Sequence, residues 1–178
     1  MKNKIREGIF ETNSSSVHSL VLMNQKLSKP NLRELRINKD GIIKIPLGYF
    51  GKDYRIYSSQ KEKLSYIMTA FYCCFGEDIN KFNDDSHWDS SYWSDIKMAI
   101  IEYINKSCPD KHCIDIIPVY PKKTKNAYGH YGYYDWEVGF DHQTYPNYLS
   151  DCIVNLYNPQ KVLNFIFNKD LVLETNCD

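Results

Sequence analysis

Between Ser59 and Gly76 the chain carries a stretch with only one plausible local structure. Ser59-Gln60-Lys61-Glu62 sets a hydroxyl and a carboxylate three residues apart, the spacing that caps a helix N-terminus reciprocally. Leu64, Ile67, Met68, Phe71 and Phe75 then recur at helical spacing until Gly76 ends the pattern. A helix with that much apolar surface needs other elements to bury it. Strand-length runs precede it: residues 4–10, and residues 18–23, whose near-continuous Leu20-Val21-Leu22-Met23 suits a buried central position. Leu32, Leu35 and Ile37 lead to Asn38-Lys39-Asp40-Gly41, where Asp-Gly fits a tight turn, and Ile42-Ile43-Lys44-Ile45 returns, so a hairpin is expected there.

After the helix, Ser90 or Ser91 can cap a second one, in which Ile96, Ala99, Ile100, Tyr103 and Ile104 line one face up to Ser107. Cys108-Pro109-Asp110 stops it. Cys113 to Val119 is rich in strand formers, and Pro118 places at least its end at an edge or outside the ladder. Pro121 to Gly132 reads as a long loop, basic and then aromatic, and Tyr133 to Phe140 as a strand with Trp136, Val138 and Phe140 on one face. A short helix over Tyr148 to Tyr157, another opened by Asn158-Pro159 and running through Phe167, and a closing strand over Leu171 to Leu173 complete the chain. Helices set between hairpin-like strands, without a regular βαβ repeat, predict an α+β fold. The expectation is one domain over residues 1–178, with a mostly antiparallel or mixed sheet and three to four helices.

Composition narrows the functions open to such a fold. The 22 basic and 22 acidic side chains cancel, which removes the long-range field that gathers phosphate backbones or anionic lipid, so strong nucleic-acid binding is not expected. No apolar run approaches the roughly 20 residues that span a bilayer, and the N-terminus lacks the apolar core of a secretory signal. A cytoplasmic protein without membrane contact is expected. The six cysteines show no disulfide framework and read as reduced, mostly packing thiols. Cys108-x3-His112-Cys113 offers soft ligands at a spacing that suits no common zinc site, so neither a metal nor a cofactor is expected.

Polar chemistry concentrates near the N-terminus. Glu11-Thr12-Asn13-Ser14-Ser15-Ser16 lies between Ile9-Phe10 and the apolar run from Leu20, with His18 just beyond. The hydroxyls, the amide and adjacent backbone N–H groups suit a nest that grips an anion or small ligand, and His18 can donate, accept or transfer a proton near neutral pH. The same residues also build Asx and Ser turns that satisfy a sharp loop. A serine nucleophile would need a base in reach and an oxyanion hole, and the Gly-x-Ser-x-Gly elbow is absent.

The segment Gly8-x-Phe10-Glu11-Thr12-Asn13-Ser14-Ser15-Ser16-x-His18-Ser19 resembles the opening of a loosely defined family of uncharacterised phage and prophage proteins. Shorter likenesses follow in Gly48-Tyr49-Phe50-Gly51, in Lys63-Leu64-Ser65-Tyr66 and in Asp141-His142-Gln143-Thr144, where Thr stands for the family's Ser. The resemblance implies an accessory protein of counter-defence type, working in the host cytosol if phage-encoded, and it pairs the serine loop with the Asp-His-Gln segment. Asn13, Ser14, Ser15 and Ser16 would then hold a small polar or nucleotide-like ligand, His18 and His142 would orient or protonate it, and Gln143 would read an amide or base edge. With Asp141 beside them, the two histidines could instead act as acid and base in a hydrolase or phosphodiesterase-like enzyme. Strand-end turns also collect Asp, His and Gln, which is the structural account of the same segment. A third class follows from Tyr128 to Trp136, where aromatic rings follow Lys122, Lys123 and Lys125: an inhibitor of a host protein acting through a Tyr-rich surface.

Overall fold

The computed structural model describes residues 5–11, 16–22, 27–50, 54–75, 90–120, 124–125, 131–132, 138–140 and 154–177. Among them the order is β1 (Ile5–Glu11), β2 (Ser16–Leu22), α1 (Leu32–Leu35), β3 (Ile42–Pro46), β4 (Tyr49–Phe50) and β5 (Arg55–Tyr57). There follow α2 (Gln60–Phe75), α3 (Ser90–Ser107), β6 (Asp115–Val119), β7 (Thr124–Lys125), β8 (Tyr131–Gly132), β9 (Gly139–Phe140), α4 (Pro159–Phe167) and β10 (Val172–Cys177). The architecture is α+β. One sheet has four antiparallel strands in the order β1-β2-β10-β5, and the remaining pairs are parallel β3-β6 and β4-β9 and antiparallel β7-β8.

Helix α2 is the centre of the packing. Residues 63–73 are all buried, as expected of a helix surrounded on every side. Its start is the reciprocal box read from the sequence: Ser59 N–H donates to Glu62 Oε2 at 3.1 Å, and Glu62 N–H donates to Ser59 Oγ at 3.2 Å. Ser59→Ala should cost about 1 kcal/mol, the usual worth of an N-cap hydroxyl, in urea unfolding. An unchanged unfolding midpoint would show that Glu34, which accepts from Gln60 N at 2.9 Å, caps the helix alone.

The buried polar groups of α2 bond to backbone of neighbouring segments. Ser65 Oγ donates to Pro46 O at 2.6 Å, and Gly48 N–H donates to Thr69 Oγ1 at 3.1 Å, so two α2 hydroxyls satisfy the β3–β4 connection. Gln60 accepts from Asn31 N–H at 2.6 Å and donates to Lys29 O at 3.1 Å. Unmet, each of these buried groups would cost about 1–3 kcal/mol.

Around α2, the helix α4 opens as the sequence predicts, with Asn158 accepting from Lys161 N–H and Pro159 in the first turn. Helix α3 and strand β6 also form, and Pro118 lies in β6, which among the described residues has β3 alone as a ladder neighbour. β2 occupies the central position expected of it, and the β1 register shifts between Glu7 and Ile9, at Gly8, where an extra residue can bulge.

The expected hairpin at Asn38 to Gly41 does not form. Leu32–Leu35 is a helical turn capped by Asn31, and Arg36 ends it in the left-handed region at φ 55°. The tight turn itself is present: Asn38 Oδ1 accepts from Asp40 and Ile42 N–H, and Gly41 takes φ +77° where a Cβ would lie 2.8 Å from His112 O. The chain leaving that turn pairs in parallel with β6, a partner some 70 residues distant, instead of returning on its neighbour. Two other expectations change. The Pro121 to Gly132 loop contains the short β7-β8 pair, and residues 154–157 of the expected helix run as a bend and turn. Residues 148–153 of that helix, and 133–137 of the strand expected before Phe140, lie outside the described residues.

Candidate functional site at one end of the antiparallel sheet

The row structure of the four-stranded sheet defines the site. From Leu171 into β10, Leu171, Leu173 and Thr175 are buried, while Val172 and Glu174 are partly exposed, so alternate residues mark the core-facing row. The register sets Leu20 against Leu173 and His18 against Thr175 on one side, and Tyr57 against Leu173 and Arg55 against Thr175 on the other. Position 18 therefore shares its cross-strand row with Thr175 and Arg55. Ser16 stands opposite Cys177 in the same alternation, and Ser19, opposite Glu174, belongs to the other face.

Three side chains make this end of the sheet polar. Thr175 and Arg55 both hydrogen-bond the Tyr57 phenol. Thr175 is fully buried and Arg55 is exposed, so the network runs from core to solvent. Burial pushes the Tyr57 phenol above the usual tyrosine range; the Arg55 charge and these bonds draw it down, and Glu62 raises it further. Tyr57 therefore keeps its proton at neutral pH and can donate a hydrogen bond.

A chain of rings joins this network to the segment preceding Asp141. Tyr57 packs edge-on against Phe50 with centroids 5.1 Å apart, and Phe50 meets Phe140 at 5.8 Å. Tyr66 touches both, at 5.1 Å from Phe50 and 5.0 Å from Phe140. Beneath Phe50, Gly48 admits the ring, since a Cβ there would lie 3.2 Å from it and 3.5 Å from Ser65 Oγ. Residues of two of the short sequence likenesses, Gly48 to Phe50 and Ser65-Tyr66, therefore meet Phe140 in one place.

Of the residues singled out from the sequence, Ser16 and His18 lie on β2 at this end of the sheet. Glu11 and Ser16, which flank the polar loop, sit at the same end, while Asn13, Ser14 and Ser15 lie outside the described residues. Asp141, His142 and Gln143 also lie outside them; Phe140 is the last described residue before that segment. Of the Tyr-rich surface, only Tyr131 and Gly132 are described, as β8.

Cys113 is buried with its thiol against Asp115 O at 3.7 Å, and burial raises it above the usual thiol range. Cys108 is half-buried and His112 exposed, and no cluster of three or more His, Cys, Asp or Glu exists among the described residues. Among the same residues, no helix is long and apolar enough to cross a membrane.

Sequence reasoning missed Arg55, Tyr57 and Thr175. A signal was present for each. Arg55-Ile56-Tyr57 alternates between Asp53 and Ser58-Ser59, and Leu171, Leu173 and Thr175 continue a period of two beyond the point where polar residues ended the expected strand. Comparison with family models, curated proteins and solved structures finds no match for this chain.

Proposed function

We propose that this chain is a phage- or prophage-type accessory protein that recognises a small polar or nucleotide-like ligand at the Arg55, Tyr57 and Thr175 end of its antiparallel sheet. The observation that supports this reading is the register that sets position 18 in the row of Thr175 and Arg55. In this reading the exposed Arg55 attracts the anionic group of the ligand, and the Tyr57 and Thr175 hydroxyls supply neutral hydrogen bonds beside it. Asn13, Ser14, Ser15 and Ser16 grip the ligand. His18 orients or protonates it. His142 and Gln143 complete the site from the segment anchored by Phe140, which is packed two rings away from the Thr175 hydroxyl's partner.

Titration calorimetry with linear and cyclic mononucleotides and inorganic phosphate tests the proposal. At least one should bind, and Arg55→Ala should weaken it about tenfold or more, the worth of a charge-assisted hydrogen bond. Because Arg55 is exposed and Thr175 still bonds the Tyr57 phenol, its loss should cost no more than about 1 kcal/mol of stability. His18→Ala and His142→Ala should abolish binding at unchanged melting temperature. Binding that survives all three substitutions sinks the assignment, and unfolding of both histidine variants would make the two residues structural.

A further inference from the structure

Lys63, in the first turns of α2, is 0 % exposed. Its Nζ donates to Asn168 O at 2.7 Å and to Leu171 O at 2.9 Å. Both carbonyls belong to the turn that ends α4 and starts β10. Asn168 is the C-cap of α4, and its side chain accepts from Asp170 N–H at 2.9 Å, so the turn is also tied internally. A lysine is among the rarest side chains to be wholly buried, and this one spans from the central helix to the strand that carries Thr175.

The charged groups that bear on the amine are Glu34 from α1, Glu62 from α2 itself and Asp170 from the turn. None of them forms a direct ion pair with Lys63 among the described residues. Two acceptors match the two N–H bonds of a neutral amine. An ammonium brings a third proton, for which neither carbonyl is left, and a full charge into a place without solvent contact, which Glu34, Glu62 and Asp170 offset without a direct ion pair.

We propose that Lys63 is a proton-operated latch: as a neutral amine it ties α2 to the α4–β10 turn, and proton uptake loosens that tie and with it the placement of β10. The tie is local to the turn, and the strand it positions carries the buried member of the polar row.

The direction of the effect follows from linkage. Desolvation pulls the Lys63 amine down from the ordinary 10.5 to about 8, with Glu34, Asp170 and Glu62 each pulling it back up. Between those two values an opened or unfolded form binds a proton that the latched form does not, so the latched form gains stability as pH rises from about 8. Below that both forms are protonated and the gain is absent. Cys113 and Tyr57 act in the opposite sense at higher pH, because burial raises both above their ordinary values of 9.0 and 10.0 and the opened form ionises first.

Native-state hydrogen exchange of the amides of residues 169–175, corrected for intrinsic rates, reads the latch directly at pH values from 7 to 9. Relative to Lys63→Met, the wild-type opening constant should fall about tenfold across that range, as one coupled proton requires. The methionine variant should open more readily at every pH, since two carbonyls lose their donors, without the additional pH dependence. Identical pH profiles in the two proteins would overturn the proposal. Should Lys63→Met fail to fold, the side-chain ε-carbon resonance of Lys63 in the wild type decides: a midpoint near 8 supports the latch, and one near 10.5 removes it. Neither readout uses a ligand, so a failure to bind nucleotides leaves the latch intact, and a failed latch leaves the ligand reading intact.

Discussion

Phe140→Ala should destabilise the protein by about 3–5 kcal/mol, the cost of truncating a buried phenylalanine to a methyl group. The ring is buried, and it meets Phe50 and Tyr66 with centroids 5.8 and 5.0 Å away. Backbone pairing contributes little to holding it. The β4-β9 ladder has two residues on each strand, supplemented by the Gly139 N–H to Gly48 O bond at 2.9 Å. Urea unfolding of Phe140→Ala and Phe140→Leu separates ring packing from simple burial: the leucine should restore most of the stability, leaving a deficit of about 1 kcal/mol for the lost aromatic contacts. An alanine variant within about 0.5 kcal/mol of wild type would mean that this ring carries no packing. The experiment also bears on the proposed ligand site, because Phe140 immediately precedes Asp141 in the sequence. A ligand held by both parts of the site should bind more weakly to Phe140→Ala even under conditions where the variant remains folded.

The sequence exposed the local elements well and their partners poorly. Helix α2 was legible because Ser59 and Glu62 form a capping box and the apolar residues keep helical spacing, both of which are properties of neighbouring residues. Which strand pairs with β3 is a different matter. Ile42 to Ile45 alternates equally well against a returning neighbour or a distant parallel strand, and nothing local distinguishes Leu32–Leu35 from β6 as the partner. The burial of Lys63 was hidden for a related reason: a lysine in an amphipathic pattern is ordinarily assigned to solvent, and its two acceptors come from residues 105 and 108 positions later. Part of the candidate site was legible as composition. The hydroxyl-rich stretch and His18 stood out, but only the order β2-β10-β5 sets position 18 in one cross-strand row with Thr175 and Arg55. That row is a product of strand order, which no short motif encodes.

Non-local matching of the same kind involves Asn105 of α3. Its side-chain amide donates to Cys113 O at 2.9 Å and accepts from Cys113 N–H at 2.7 Å, closing both backbone groups of a buried residue as a neighbouring strand would. The stretch that attracted a metal reading from Cys108, His112 and Cys113 is thus held by an amide at its inner end. Asn105→Ala leaves a buried donor and a buried acceptor unmet and should cost about 2–4 kcal/mol. Asn105→Asp keeps the acceptor for Cys113 N–H but sets a carboxylate against Cys113 O, so at neutral pH it should be no better than alanine. Protonation supplies the missing donor: the acid form of the aspartate can give its O–H to that carbonyl, which raises its pKa in the folded state. Stability of Asn105→Asp relative to Asn105→Ala should therefore be lowest at neutral pH and recover as pH falls to about 5 and below, where a raised carboxyl takes up its proton. Urea unfolding of the two variants across that range measures the recovery. Equal pH profiles, or an alanine variant as stable as wild type, would show that the α3–β6 connection is held by Ile114 N–H to Gly41 O and the apolar contacts beneath it instead.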